Sequence, residues 1–253
     1  MVGPQHDAVD HAHTPEAVRA RLALGLRHSV LRDGVYGAVD GVVTTFAVVA
    51  GVAGAAMSNA VIVVIGLVSL VADGFSMAVA SFLGTRAERQ LVRRVRRMEE
   101  EHIDTVPEGE REEIRQIYAA KGLRGDALEQ VVEVITRDRE RWIETMLREE
   151  HGLSPEGPSP FRTAGVTLVS FVLAGSLPLA PFLLRQMAGT GTVSGVPFLW
   201  SAGMTAAAFF LVGAVKGRVV GQPRLVSGLE TLAIGSAAAA IAYGVGHLLR
   251  GIA

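Results

Sequence analysis

The chain has 253 residues, 49% of them hydrophobic, a formal net charge of −1 and no cysteine. Its mean hydropathy is +0.36, yet positions 86–150 hold 17 acidic and 14 basic side chains, 31 of the 49 charged residues. This segregation excludes an ordinary soluble globular enzyme and predicts an all-α membrane protein with one soluble insertion; the missing cysteine excludes disulfides, thiolate nucleophiles and Cys-ligated metal.

Residues 1–30 read as a polar N-terminal tail. They carry Arg19, Arg21 and Arg27 and no apolar core, so they are not a cleaved signal peptide. His6, His11 and His13 are expected in a disordered stretch, with weak metal sequestration as the minor reading. The first span follows at Leu31–Ala56. Asp33 stands at its polar entrance and Asp40 about two turns further in. Gly37, Gly41, Ala47, Gly51 and Gly54 give the small-xxx-small spacing that lets helix backbones approach closely.

Met57–Asn59 is an uncharged turn, after which Asn59–His102 reads as one helix of about 65 Å at ~1.5 Å per residue. Its apolar half crosses the membrane and its charged half protrudes into water. Asp73 and Met77 are four apart and share a face. The hairpin sets Asp40 and Asp73 at similar depth, roughly 21–26 Å from the turn, in the half nearer the insertion. Residues 31–85 thus form the first two spans.

The insertion covers residues 86–160. Arg93, Arg94, Arg96 and Arg97 read as positive-inside residues in contact with anionic lipid. Pro107 and Gly109 are expected to end the long helix. Three short amphipathic helices follow at Glu110–Ala120, Asp126–Arg137 and Asp138–Glu150, with apolar faces that suit a small bundle. A Gly/Pro-rich linker leads back to the membrane. Residues 161–253 supply three more spans, at Arg162–Gln186, Val196–Val215 and Leu225–Leu249. Pro178 and Pro181 predict a kink or an end in the first of these. Five spans with alternating Arg/Lys loops put the N-terminus and the insertion in the cytoplasm and the C-terminus outside.

Two sets of residues carry chemistry. An ionisable group inside a span is costly and faces a cavity or a partner, so Asp40, Asp73 and Met77 read as an ion path. The bland alternative is a pair of protonated structural carboxyls. A carboxylate near a dimer axis that binds a divalent ion when ionised and releases it when protonated has the property a proton-coupled exporter needs. In the insertion, Glu99 and His102 close the long helix, Glu110 and Glu113 share a face three apart, and Met146 and Glu150 are four apart. Carboxylate, imidazole and thioether together suit a divalent transition metal, whereas Mg²⁺ or Ca²⁺ sites use oxygen alone. The bland alternatives are solvated Glu faces and a core methionine.

The stretches AVDGVVTTFAVVAGVAGA, LVADGFSMAVASFLGTRAE and EEEHIDTVPEGEREEI…ERWIETMLREEHGL resemble the vacuolar iron transporter family, including its bacterial members, over nearly all of Leu31–Leu249. The resemblance implies a homodimer of five-helix protomers in a bacterial inner membrane. It also implies export of Fe²⁺, often Mn²⁺ too, from the cytosol in exchange for protons, with no organic cofactor and no nucleic-acid partner. The family's path residues fall on Asp40 and Met77, and its cytosolic metal-binding face on Glu99, His102, Glu110, Glu113, Met146 and Glu150. A second-span Glu of plant members aligns with Ser69, one turn from Asp73, and Asp73 is expected to replace it. Here His102 stands where Glu is common, and Leu147 where a second Met is common.

Two alternatives stay in view. Glu99-x-x-His102 has the spacing of carboxylate di-iron bundles, so the insertion has a second reading as a membrane-anchored iron-binding or iron-oxidising unit. A ferritin-like site needs two such motifs on long helices, and one occurs here, so no enzyme is expected. A non-transporting adaptor with an acidic docking insertion leaves Asp40 and Asp73 without a role.

Overall fold

The computed structural model describes residues 14–24, 30–155, 157–188 and 196–251; His6, His11 and His13 lie outside them. Among the described residues every regular element is a helix. The tail expected to be unstructured contains α1 (Pro15–Leu24), started by the Thr14 hydroxyl, which accepts from the Ala17 N–H at 3.3 Å.

The first two spans are α2 (Leu31–Gly54) and the apolar half of α3 (Asn59–Thr105), a single helix of 47 residues, about 70 Å long. Three short helices follow: α4 (Pro107–Ala120), α5 (Gly125–Thr136) and α6 (Arg139–Glu149). The chain then returns through α7 (Pro160–Gly175), α8 (Ala180–Met187), α9 (Val196–Val220) and α10 (Arg224–Leu248). Among the described residues four helices are long and apolar enough to cross a membrane, and a fifth span results when α7 and α8, bent by 62°, count as one. The expected third span is therefore broken. Pro178 falls at the break, where its carbonyl accepts from the Ser201 hydroxyl of α9 at 2.6 Å, the kind of rescue that a proline break in a buried helix needs.

In the membrane half α2 is central, with α3, α7, α9 and α10 around it. Its small-residue stripe serves two neighbours. A Cβ on Gly41 would stand 2.4 Å from the Phe171 carbonyl oxygen of α7, and one on Gly246 of α10 would stand 1.9 Å from the Gly51 oxygen. Phe46, Val49, Ile62, Leu70, Phe171, Leu179 and Phe182 fill the core between them. Val64, Val68, Val71 and Phe75 of α3 remain exposed, an apolar surface suited to lipid or another protein face.

Beyond its apolar half α3 becomes one wall of a second core. Ile103, Ile114, Leu128, Val132, Ile135, Trp142, Ile143, Met146 and Leu147 bring α3, α4, α5 and α6 together. The long helix ends at Thr105, just before Pro107, as expected, but α4 starts at Pro107 and not at the expected Glu110. Pro107 sits at the first position of α4, where its missing N–H costs nothing, and Gly109 is an exposed residue inside that helix. Asp138 caps α6, its Oδ1 accepting from the N–H groups of Glu140 and Arg141 at 3.1 and 3.2 Å.

Ion pairs pin the bundle from outside. Arg96 donates to both Glu140 oxygens at 2.8 and 2.5 Å and to Glu100 at 2.9 Å, so it is committed to α6 and not free for lipid, whereas Arg93, Arg94 and Arg97 are exposed. Arg139 reaches Asp104, Arg115 reaches Glu129, and Lys121 reaches Glu149.

Candidate functional site

The local fold decides which acidic side chains turn inward. Glu99 lies one turn before Ile103 on α3, and Glu110 one turn before Ile114 on α4, so both share the face that builds the bundle core. Glu99 is 1% and Glu110 3% exposed. His102 Nδ1 stands 3.1 Å from Glu110 Oε1, and one ligand atom from each of Glu99, His102 and Glu110 lies within 4.8 Å of the others. Glu113 and Glu150 are exposed at the rim but close enough for their charges to act on one another and on the buried pair.

Met146 is fully buried in the apolar core, one turn before Glu150. Of the six insertion residues singled out by sequence, the structure gathers Glu99, His102 and Glu110 tightly, sets Glu113 and Glu150 beside them, and seats Met146 among core side chains.

The electrostatics separate these carboxylates from the rest of the bundle. Glu140 and Asp104 bond to arginines that hold their carboxyls below the usual range. Among the described residues no Arg or Lys bonds Glu99, Glu110, Glu113 or Glu150; imidazoles stand beside Glu99, Glu110 and Glu150. Burial, then the charges of Glu113 and Glu99, push the Glu110 carboxyl up to about 7. Burial also raises Glu150. Glu99 Oε2 and Glu110 Oε2 are buried without a hydrogen-bond partner. Two buried carboxylate oxygens without donors, next to an imidazole, form a donor set that a divalent transition metal satisfies.

Sequence reasoning missed His151. Its Nε2 lies 2.8 Å from Glu99 Oε1 and 3.5 Å from Glu150 Oε2. No periodicity links positions 99 and 151, because the contact arises only when the end of α6 closes on α3. The usable signal was a histidine directly after Glu150 in a Gly-containing helix end.

In the membrane half, Asp40 is half-buried on α2 and lies within electrostatic reach of Asp73. Asp73 is exposed on α3, and Met77 one turn on is half-buried. Met77 lines a cavity of about 470 Å³ with Asp33, Tyr36, Ser81, Thr85 and Glu88. The cavity runs from mid-span toward the insertion, between α2, α3 and α7. Arg32 lines the same cavity, and neither Asp40 nor Asp73 is among its lining residues.

The family model described as VIT family matches residues 31–247. The chain is 31% identical over 245 residues to vacuolar iron transporter 1 of Oryza sativa subsp. japonica, covering 95% of this chain and 91% of that protein. It is 33% identical over 220 residues to the vacuolar iron transporter of Toxoplasma gondii, covering 85% and 73%. It is 31% identical over 215 residues to vacuolar iron transporter 1 of Arabidopsis thaliana, covering 85% and 84%.

Proposed function

The chain belongs to the VIT family, and from that premise we propose that it exports Fe²⁺, and Mn²⁺ as a second substrate, from the cytosol in exchange for protons. It is an integral membrane transporter and not an enzyme. In this reading it works as a homodimer in a bacterial cytoplasmic membrane. The tail of residues 1–30 and the insertion of residues 86–160 are cytoplasmic, spans lie in 31–85 and 161–253, and the C-terminus is outside. The exposed arginines Arg93, Arg94 and Arg97 after the long span, and Lys216 and Arg218 near the end of α9 with Arg224 at the start of α10, support that orientation. Glu99, His102, Glu110, Glu113, Met146 and Glu150 capture the ion, and Asp40, Asp73 and Met77 pass it through the membrane.

One observation carries the reading: two aspartates on adjacent spans lie within reach of each other, one of them on an exposed membrane face. Ionisable groups at such depth persist where they serve an ion or proton path. A mobile divalent ion and protons compete for the same pair, which is the basis of exchange. The di-iron alternative is disfavoured because α4, α5 and α6 have only 14, 12 and 11 residues, too short for a ferritin-like bundle. The test is Fe²⁺ uptake by proteoliposomes under an opposing pH gradient. Uptake that tracks the gradient is expected, and uptake no faster than in protein-free vesicles would remove the proposal.

A further inference from the structure

The first turns of α2 stand apart from their neighbours. Further along, α2 and α9 touch: Val42 packs with Ala208 and Phe209, and the Phe46 and Phe198 rings stack with centroids 6.2 Å apart. Toward the insertion the two helices separate, and a cavity opens on each side of α2. One, of about 680 Å³, lies against α7 and α9, and the other, of about 430 Å³, against α9 and α10; Leu31 and Val35 line both. The smaller cavity has an apolar wall that includes Val39, Val43, Val220 and Ile234, the last two exposed at its opening. Arg32 and Lys216 stand at its end nearer the insertion. Its size and lining are those of a site for an apolar ligand with a polar head.

In a bilayer such a crevice fills with hydrocarbon, so the charge at its rim decides which lipid it prefers. Arg32 is exposed, and among the described residues no carboxylate pairs with it. Lys216 donates to Glu230, Nζ to Oε2 at 3.2 Å, which leaves the other protons of its ammonium for a second acceptor. A guanidinium and an ammonium at headgroup depth match a phosphate ester of net negative charge. A zwitterionic headgroup brings its own cation, which offsets part of that gain. Tyr36, one turn after Arg32, lines the same crevice and is exposed, the placement of an interfacial aromatic.

We propose that the crevice between α2, α9 and α10 binds one anionic phospholipid, with an acyl chain along Val39, Val43 and Ile234 and the phosphate on Arg32 and Lys216. Arg32 and Tyr36 also line the cavity that holds Asp33, Met77 and Glu88, so this ridge of α2 stands between the lipid and that cavity. The bound headgroup offsets the Arg32 charge at a place where a cation enters. That consequence rests on the proposed transport function, and the binding does not.

Native mass spectrometry of the full-length protein, released from micelles with equal amounts of phosphatidylglycerol and phosphatidylcholine, reads binding without flux. One phosphatidylglycerol per protomer is expected to remain at collision energies that strip phosphatidylcholine. Arg32→Gln should lower this preference by about fivefold, the share of one basic residue at an anionic surface, and Arg32→Lys should keep most of it. Ile234→Trp fills the crevice while leaving both cations in place, and it should lose the retained lipid. Both positions are exposed, so the variants are expected to melt like the parent in lipid-free detergent. Equal retention of the two lipids by the parent, which means annular lipid only, would overturn the proposal. So would a parental preference in Arg32→Gln, or phosphatidylglycerol still held by Ile234→Trp. The chain has no cysteine, so Ile234→Cys adds a single thiol. A bismaleimide crosslink between two copies through it would show that a second copy covers the crevice, and the lipid assignment would fall.

Discussion

The two acidic regions of the molecule are built differently. In the insertion, Glu99 and Glu110 are buried against imidazoles, and candidate ligand groups come together within the one chain. In the membrane half, Asp40 is half-buried and Asp73 lies on an exposed face, with Met77 turned to a polar cavity. In the function proposed above, the insertion acts as a closed cup that holds an ion, and the membrane pair as an open wall along which one passes. Tight, multidentate coordination slows release, so a transporter separates capture from passage.

The comparison is broken most directly through Asp40. Asp40→Asn keeps the side-chain volume and removes the charge, and Fe²⁺ uptake by proteoliposomes is expected to fall to the protein-free background while Co²⁺ binding by the insertion is unchanged. Undiminished uptake would take Asp40 out of the path and leave the membrane pair a structural one.

The next effect concerns the cup. Met146 is fully buried among Ile114, Ile143 and Leu147, so Met146→Ala should destabilise the insertion by about 2–5 kcal/mol. Trp142 sits in the same core, and in a Trp200→Phe background its fluorescence follows that unfolding alone. Met146→Leu should cost less than about 1.5 kcal/mol. If the leucine variant folds and still binds Co²⁺ with parental affinity, the thioether is packing and not a ligand.

In the membrane half the equivalent constraint is space. Gly41→Ala drives a Cβ toward the Phe171 carbonyl oxygen 2.4 Å away. Overpacking of that kind costs about 1–3 kcal/mol, read as a lower melting temperature in detergent. An alanine variant as stable as the parent would mean that α2 and α7 can move apart freely.

Protons sharpen the contrast further. Glu110 has a folded-state pKa of about 7 against an ordinary 4.5, chiefly because burial penalises its charge. A group raised in this way supports the metal-free fold fully below about 4.5, and that support is lost as pH rises through about 7. Glu110→Gln should therefore melt close to the parent at pH 4.5 and above it at pH 8, both with chelator present. A constant difference between the two pH values would contradict the raised pKa. Metal requires the ionised form, so parental Co²⁺ affinity should climb through the same window.

Much of this was legible in the sequence because the signals were local. The apolar runs, the uncharged Met57–Asn59 turn and the i, i+3 and i, i+4 pairs each depend on neighbours within a turn or two. His151 was not legible, since its partner is 52 positions away and only the packing of α6 on α3 joins them. The exposure of Asp73 was hidden for the same reason: spacing gives its helical face but not which neighbour covers that face. The end of the long helix near Pro107 was legible, but the start of α4 was set three residues late, because Pro107 begins a helix that Gly109 merely tolerates.

Gly109 gives the smallest effect and the plainest contrast with Gly41. Both are helical glycines, but a Cβ on Gly109 would meet only the Val106 side chain, at 4.0 Å, and the position is exposed. Nothing in the native state needs the missing side chain, while the unfolded chain gains entropy from it. Gly109→Ala should stabilise the insertion by about 0.4–1 kcal/mol, seen as a later Trp142 unfolding transition, whereas the same change at Gly41 destabilises. If Gly109→Ala instead loosened the bundle, α4 would need freedom at its first turn next to Glu110, and the cup would be less rigid than its buried carboxylates imply.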